Sequence, residues 1–190
     1  MKKLFLTAVV AALAFAPAFA QDNIPGAKSF GLTATFGNNN TTTIGGVYNF
    51  NDQIALRPWV GFTIKNTDKG DYYTYDTAYT DFELGTDLLY QIKMASNVVL
   101  GVGGRVGISS MGTTNKYTTY DTKSVPLTIN ATALMSAQYF VAPRLGVYID
   151  AGLGMEYYSY KYDNGTTTTS YSYTKFGTST FGIGLAVYLK

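Results

Sequence analysis

Residues 181–190 read Phe-Gly-Ile-Gly-Leu-Ala-Val-Tyr-Leu-Lys, with an apolar side chain at every second position. Because side chains alternate between the two faces of a β-strand, five large apolar groups would share one face. They are Phe181, Ile183, Leu185, Val187 and Leu189. The opposite face carries mainly glycine and alanine, where a strand of a soluble sheet usually carries polar or charged groups. Glycine there indicates a crowded, concave interior, and so favours an apolar face that points outwards.

The composition favours strands over helices. Only 14% of the 190 residues are charged, against roughly 25% in typical soluble domains. The chain holds 17 Tyr and 20 Gly, which are common in strands and turns. It holds no Cys, so no disulfide framework supports the fold.

The first twenty residues have the layout of a secretory signal. Two lysines precede an apolar run over 4–16, and Ala-Phe-Ala at 18–20 matches an A-x-A cleavage site. The run is shorter than the ~20 residues of a membrane-spanning helix. We therefore predict a signal peptide at 1–20 and one exported domain at 21–190.

Cleavage would leave 12 of the 14 basic residues, against 12 acidic residues. The mature chain would then be neutral overall. No basic excess points to nucleic acid as a partner.

Eight runs of alternating pattern, separated by turn residues, predict eight β-strands. They cover 28–37, 42–50, 54–65, 80–91, 98–109, 124–139, 145–157 and 181–189. The connections after the second, fourth and sixth runs are a few residues long, whereas those after the third, fifth and seventh reach a dozen or more. An even number of strands with short turns at one end and long loops at the other is typical of an outer-membrane barrel.

The size of the lumen decides which face points outwards. The interior of an eight-stranded barrel is just wide enough for side chains to fill. Large apolar groups from every strand would overfill it, whereas Gly, Ala, Ser, Thr and a few charges fit. A β-sandwich could bury the large groups, but its outer faces would then carry scattered Lys and Glu. The sequence thus predicts an all-β, eight-stranded antiparallel up-and-down transmembrane β-barrel.

This pattern resembles the small outer-membrane barrels of the OmpA and OmpX type, which include the opacity-type adhesins. The resemblance rests on the signal peptide, the eight strands, the alternating loop lengths and the closing strand at 181–189. It implies the bacterial outer membrane as location, with both chain ends in the periplasm and long loops facing out. It also implies outer-membrane lipid and the outer-membrane assembly machinery as partners. One departure is the end of the chain, Tyr188-Leu189-Lys190, where such proteins usually have an aromatic residue.

The residue types present argue against catalysis. The chain holds no His, which excludes a Ser-His triad, a His general base and a His-ligated metal. The lipid-modifying and proteolytic barrels that resemble this fold depend on His. We predict neither an enzyme nor a cofactor or metal site.

The charged residues on the inner face are the strongest candidates for a polar cluster with a structural or functional role. They are Arg57, Lys65, Glu83, Asp87, Arg105, Asp150 and Glu156. In a narrow barrel such groups must pair, since an unpaired buried ion costs several kcal/mol. The prediction is a structural interior network, and a proton or ion path is the alternative.

Tyrosine is concentrated in the long connections. Eight tyrosines are candidates for contact with a surface ligand or host molecule, as rigid amphipathic anchors. They are Tyr73, Tyr75, Tyr117, Tyr120, Tyr160, Tyr162, Tyr171 and Tyr173. Membership of the aromatic girdle of a barrel is the alternative for such residues. Asp163-Asn164-Gly165 is typical of a type I′ turn, so the last two strands are expected to continue above the membrane.

The sequence therefore predicts a non-catalytic, monomeric outer-membrane barrel whose Tyr/Thr-rich loops mediate adhesion or surface binding. Two alternatives stay open. One is a small porin-like channel, and the other is a soluble periplasmic ligand-binding barrel.

Overall fold

A computed structural model of the chain describes residues 24–37, 42–67, 76–116, 121–124, 126–163 and 167–189. The predicted signal peptide at 1–20 lies outside these residues. Within them, no helix is long and apolar enough to cross a membrane.

Nine strands make up most of the described chain. They are β1 (Phe30–Gly37), β2 (Thr42–Asn49), β3 (Ile54–Thr67), β4 (Asp76–Ala95), β5 (Val98–Lys116), β6 (Asp121–Ser124), β7 (Leu127–Ala142), β8 (Leu145–Asp163) and β9 (Thr168–Tyr188). Both β6 and β7 pair with β5 on one side and β8 on the other, at successive levels. They therefore occupy one position in the wall, interrupted near Pro126, which has no amide proton to donate to a ladder.

The eight wall positions pair antiparallel in chain order, and the ring closes between β9 and β1. Gly31 lies opposite Tyr188 at one end of this closing pair, and Gly37 lies opposite Gly182 at the other. The predicted eight-stranded up-and-down barrel is confirmed. Closure matters because lipid offers no partner for the backbone groups of an open strand edge.

Several strands run further than predicted. β4 begins at Asp76 and ends at Ala95, beyond both limits of the predicted 80–91. β9 begins at Thr168, well before the predicted 181–189, and the far ends of β3, β5 and β8 are extended as well. The expected continuation of the last two strands is confirmed, because β8 and β9 stay paired as far as Asp163 and Thr168. The other predicted boundaries are wrong, mostly where polar residues give no apolar contrast.

The closing strand shows which face of the wall is outside. Phe181, Leu185 and Val187 are 49%, 45% and 46% exposed, whereas Ala186 and Tyr188 are each 2% exposed. Large apolar side chains are exposed on the outer face at all eight wall positions. The predicted orientation, with the apolar face outwards, is confirmed.

The apolar band has the height of a bilayer core. On β8 it begins at Leu145, passes Leu153 and ends at Tyr157, all of them exposed. At about 3.3 Å per residue this stretch is about 40 Å long, and a tilt of about 45° would give a height of about 28 Å. Beyond Tyr157 the same face carries Ser159 and Lys161. A bilayer core is about 30 Å thick, so the band matches it.

Large rings inside the barrel explain its glycine-rich inner face. Tyr148 on β8 lies opposite Gly184 on β9, where a Cβ atom would overlap the tyrosine ring. Trp59 on β3 covers Gly85 on β4 in the same way and reaches Gly107 on β5. Both rings are buried. Glycine at these positions makes room for the rings that fill the lumen.

We expect Gly184→Ala to lower the free energy of unfolding by about 1–3 kcal/mol, because the added methyl would displace a buried ring from a packed interior. The matched control is Gly46→Ala, where the nearest atoms would lie 3.6 Å and 4.0 Å from the new Cβ. Urea unfolding in lipid vesicles, followed by Trp59 fluorescence, measures both. Equal stability of the two variants would contradict this account of the inner face.

Candidate functional site

Four charged side chains meet at the middle of the lumen. Arg57 on β3, Asp87 on β4 and Arg105 on β5 stand opposite one another in the strand register, and Asp150 comes from β8 across the barrel. Strand alternation points all four inwards. We call Arg57, Asp87, Arg105 and Asp150 the central quartet.

Asp87 is the hub of the central quartet. Its carboxylate accepts hydrogen bonds from Arg57 Nε at 2.9 Å and from Arg105 Nε and Nη2 at 2.7 Å and 2.9 Å. Trp59 Nε1 donates a further bond at 3.1 Å. Asp87 is 0% exposed, so these donors take the place of water around its charge.

Asp150 ties the central quartet to the opposite wall. Its Oδ2 atom accepts hydrogen bonds from Arg57 Nη2 at 2.7 Å and from Arg105 Nη2 at 3.1 Å. Asp150 is also 0% exposed. Two guanidinium groups thus face two carboxylates, and their formal charges cancel within the barrel.

Aromatic rings enclose the central quartet. The Arg57 guanidinium lies 4.6 Å from the centre of the Tyr148 ring, and that of Arg105 lies 5.5 Å from the Trp59 ring. The Tyr148 hydroxyl forms a 2.6 Å hydrogen bond with the Thr35 hydroxyl. Sequence reasoning missed both rings as parts of the network. The available signal was a large aromatic residue on a face otherwise occupied by small residues.

Apolar packing fills the lumen on the side of the short turns. The buried cluster there contains Val47, Ala55, Val99, Phe140, Tyr148, Ala186 and Tyr188. The Phe140 and Tyr188 rings lie 5.8 Å apart. Between this cluster and the central quartet is a space of only about 20 Å³.

A larger space lies on the other side of the central quartet. This upper cavity has a volume of about 200 Å³ and is bordered by Trp59 and Arg105. Glu83 and Glu156 also line it. The Glu156 carboxylate accepts a 2.7 Å hydrogen bond from the Tyr158 hydroxyl.

The structure therefore brings four of the seven predicted interior charges together and places two more in the upper cavity. The seventh, Lys65, lies on β3 opposite Tyr79. Its side chain lies outside the part that the structure describes.

The β8 and β9 strands continue past the apolar band as a two-stranded extension, which we call the upper hairpin (157–163 and 168–176). Within it the Tyr158 and Tyr173 rings stack with their centres 4.9 Å apart. Tyr160 lies opposite Tyr171 in the register. Tyr171 and Tyr173 are 62% and 58% exposed.

The structure describes less of the other tyrosines that were predicted to contact a ligand. The backbone of Tyr162 pairs with Thr169, and nothing further is described for that side chain. Four tyrosines lie outside the described residues, as do the last two residues of the predicted Asp163-Asn164-Gly165 turn. These four are Tyr73, Tyr75, Tyr117 and Tyr120.

The chain is similar in structure to a major outer membrane protein from Thermus thermophilus. The TM-score is 0.59 and the sequence identity 14%, over 85% of this chain and 98% of that one. The fold is that of an outer-membrane β-barrel.

Two further solved structures show a weaker similarity. The N-terminal β-barrel domain of Pseudomonas aeruginosa OprF has a TM-score of 0.44 and 12% identity, over 87% of this chain and 100% of that one. Ail, the attachment invasion locus protein of Yersinia pestis, has a TM-score of 0.47 and 10% identity, over 85% and 95%. No protein-family model matches the chain, and no curated protein matches its sequence.

We expect Arg57→Met to lower the free energy of unfolding by about 3–5 kcal/mol, because it removes a donor from two buried carboxylates. Conductance across a planar lipid bilayer should stay at the level of the unaltered protein, since rings and apolar packing still close the lumen. The matched control is Arg144→Met, in the exposed turn between β7 and β8. A rise in conductance in Arg57→Met would instead identify the central quartet as a gate.

Proposed function

We propose that the protein is a non-catalytic, monomeric barrel of the bacterial outer membrane that holds a binding hairpin at the cell surface. The observation that carries this proposal is that the barrel combines two features. Its lumen is closed, and exposed tyrosines lie on a two-stranded extension beyond the apolar band. The barrel is the anchor and the upper hairpin is the contact surface.

The outer face supports the membrane location. Side chains such as Leu153 (66% exposed), Ile44 (64%) and Phe62 (62%) would be costly on a water-facing surface. Lipid removes that cost, and the band on β8 matches a bilayer core in height. These exposures argue against the soluble periplasmic barrel.

The lumen argues against the porin-like alternative. A permeant ion would have to pass the central quartet, whose four charges already bind one another, and then the apolar cluster around Phe140 and Tyr188. Neither layer offers a hydrated path. Transport through the barrel would require both layers to rearrange.

Orientation follows from the two ends of the barrel. The start of β1, the end of β9 and the three short turns lie at one end, and the upper hairpin lies at the other. In barrels of this type the short turns face the periplasm. The upper hairpin would then face outwards, with lipid and the assembly machinery as partners of the barrel wall.

Tyr171 and Tyr173 make the upper hairpin suitable for binding. Tyrosine offers a large amphipathic surface with few rotatable bonds, so little conformational entropy is lost on contact. The strand pairing with β8 fixes their spacing before any partner arrives. Such preorganisation lowers the entropic cost of association.

The test compares cells that display the unaltered protein with cells that display the double variant Tyr171→Ser/Tyr173→Ser. Retention on surfaces coated with mucin, collagen or laminin is the measurement. We expect the unaltered protein to retain cells on at least one surface, and the tyrosine variant to fall to the level of cells without the protein.

The control is Ser170→Ala/Ser172→Ala, on the other face of the same strand. It should retain cells as the unaltered protein does. A gel comparison of boiled and unboiled samples checks that every variant is a folded barrel. No retention on any surface, or equal retention by the tyrosine variant, would refute the binding role.

A further inference from the structure

We infer that the upper cavity is a binding site for a small hydroxylated compound that carries an ammonium group, such as an amino sugar. At about 200 Å³ the cavity is smaller than the roughly 300–1,000 Å³ of pockets for drug-sized ligands. A single sugar-sized molecule is therefore the appropriate scale. The inference rests on the barrel and its lumen, and it does not depend on adhesion by the upper hairpin.

The expected charge of the ligand follows from the charged side chains of the cavity that the central quartet does not balance. Arg105 borders the upper cavity, but its guanidinium already binds Asp87 at 2.7 Å and 2.9 Å and Asp150 at 3.1 Å. The central quartet is neutral as a unit. Among the described residues that line the cavity, the two charges that remain are those of Glu83 and Glu156, and both are negative.

The partners of Glu156 do not cancel its charge. Its hydrogen-bond donor is the Tyr158 hydroxyl, which is neutral. Lys175 is opposite Glu156 in the β8–β9 register, but it is exposed, and no ion pair joins the two among the described contacts. A carboxylate in a partly enclosed, low-dielectric space attracts a cation more strongly than one on an open surface.

The geometry favours a compact ligand between the two carboxylates. Glu83 comes from β4 and Glu156 from β8, which are separated in the ring by other wall strands. Both line the same space, so both contribute negative charge around a ligand held there. Charge-assisted hydrogen bonds of this kind are about twice as strong as neutral ones.

The remaining walls match hydroxyl groups on the ligand. Thr35, Thr43 and Thr180 line the cavity, together with the Asn130 amide, which can both donate and accept. Trp59 and Phe181 add aromatic surface. The Thr35 hydroxyl already bonds to the Tyr148 hydroxyl. An amino sugar would use the hydroxyls of Thr43 and Thr180 and the Asn130 amide together with the carboxylates, whereas a simple metal cation would use the carboxylates alone.

Among the described strands, β1 ends beside the upper cavity. β1 ends at Gly37 and its pairing with β9 stops at Gly182, whereas β8 and β9 continue to the upper hairpin. Gly37 and Gly182 both border the cavity. This end of β1 lies on the side on which the proposed orientation places the cell exterior.

Isothermal titration calorimetry on the purified, folded barrel in detergent tests the inference with three probes. Glucosamine carries an ammonium group, glucose lacks it, and N-acetylglucosamine replaces it with a neutral amide. We expect glucosamine to bind about tenfold or more tightly than either neutral sugar, as one charge-assisted hydrogen bond implies. Absence of glucosamine binding, or equal affinity for all three, would overturn the inference.

Substitutions then assign the site. Glu83→Gln and Glu156→Gln should each weaken glucosamine binding by about tenfold or more. Asp52→Asn is the control, since this exposed residue lies in the β2–β3 turn at the opposite end of the barrel. Unchanged affinity in both glutamate variants would contradict the assignment, and the gel comparison of boiled and unboiled samples verifies folding.

Discussion

Two fully buried carboxylates, Asp87 and Asp150, bind the same two arginines, and the rest of the barrel is built around that arrangement. Unpaired, each of these ions would cost several kcal/mol in so narrow a lumen. Paired, they join walls that are far apart in sequence and hold the ring together from within. Trp59 and Tyr148 complete the layer, and the glycines beneath them provide the space that the rings occupy.

This closed layer divides the molecule into parts with different surroundings. The outer face presents an apolar band, the lumen below the central quartet is packed, and the lumen above it holds a polar cavity. The strands that continue furthest, β8 and β9, form the upper hairpin with its exposed tyrosines. Interactions with other molecules are therefore expected at the upper end, where polar groups and rings remain available.

The fold was predicted from three features of the sequence, namely the period of two, the number of strands with their connection lengths, and the size of the lumen. A shift of one residue would exchange the faces of a strand, so the alternation at 181–189 determined which side chains share a face, and the narrow lumen determined which face points outwards. Strand ends were harder to predict by alternation, because stretches such as Thr168 to Phe176 are polar or aromatic on both faces, and the turn pattern at 163–165 alone indicated that these strands continue. The inner charges could be predicted as a set, but which of them meet depends on strand tilt and stagger. The contact between Arg57 and Asp150 across the lumen is of this kind.

The most direct test of the central claim, an apolar face in lipid and a filled lumen, uses the single tryptophan. The barrel is folded into vesicles whose acyl chains carry bromine, which quenches nearby indole fluorescence. Trp59 should be quenched far less than the indole introduced by Leu185→Trp in a Trp59→Phe background, since Trp59 is 8% exposed inside the barrel and Leu185 points outwards. Quenching of Trp59 equal to or stronger than that at position 185 would contradict the account.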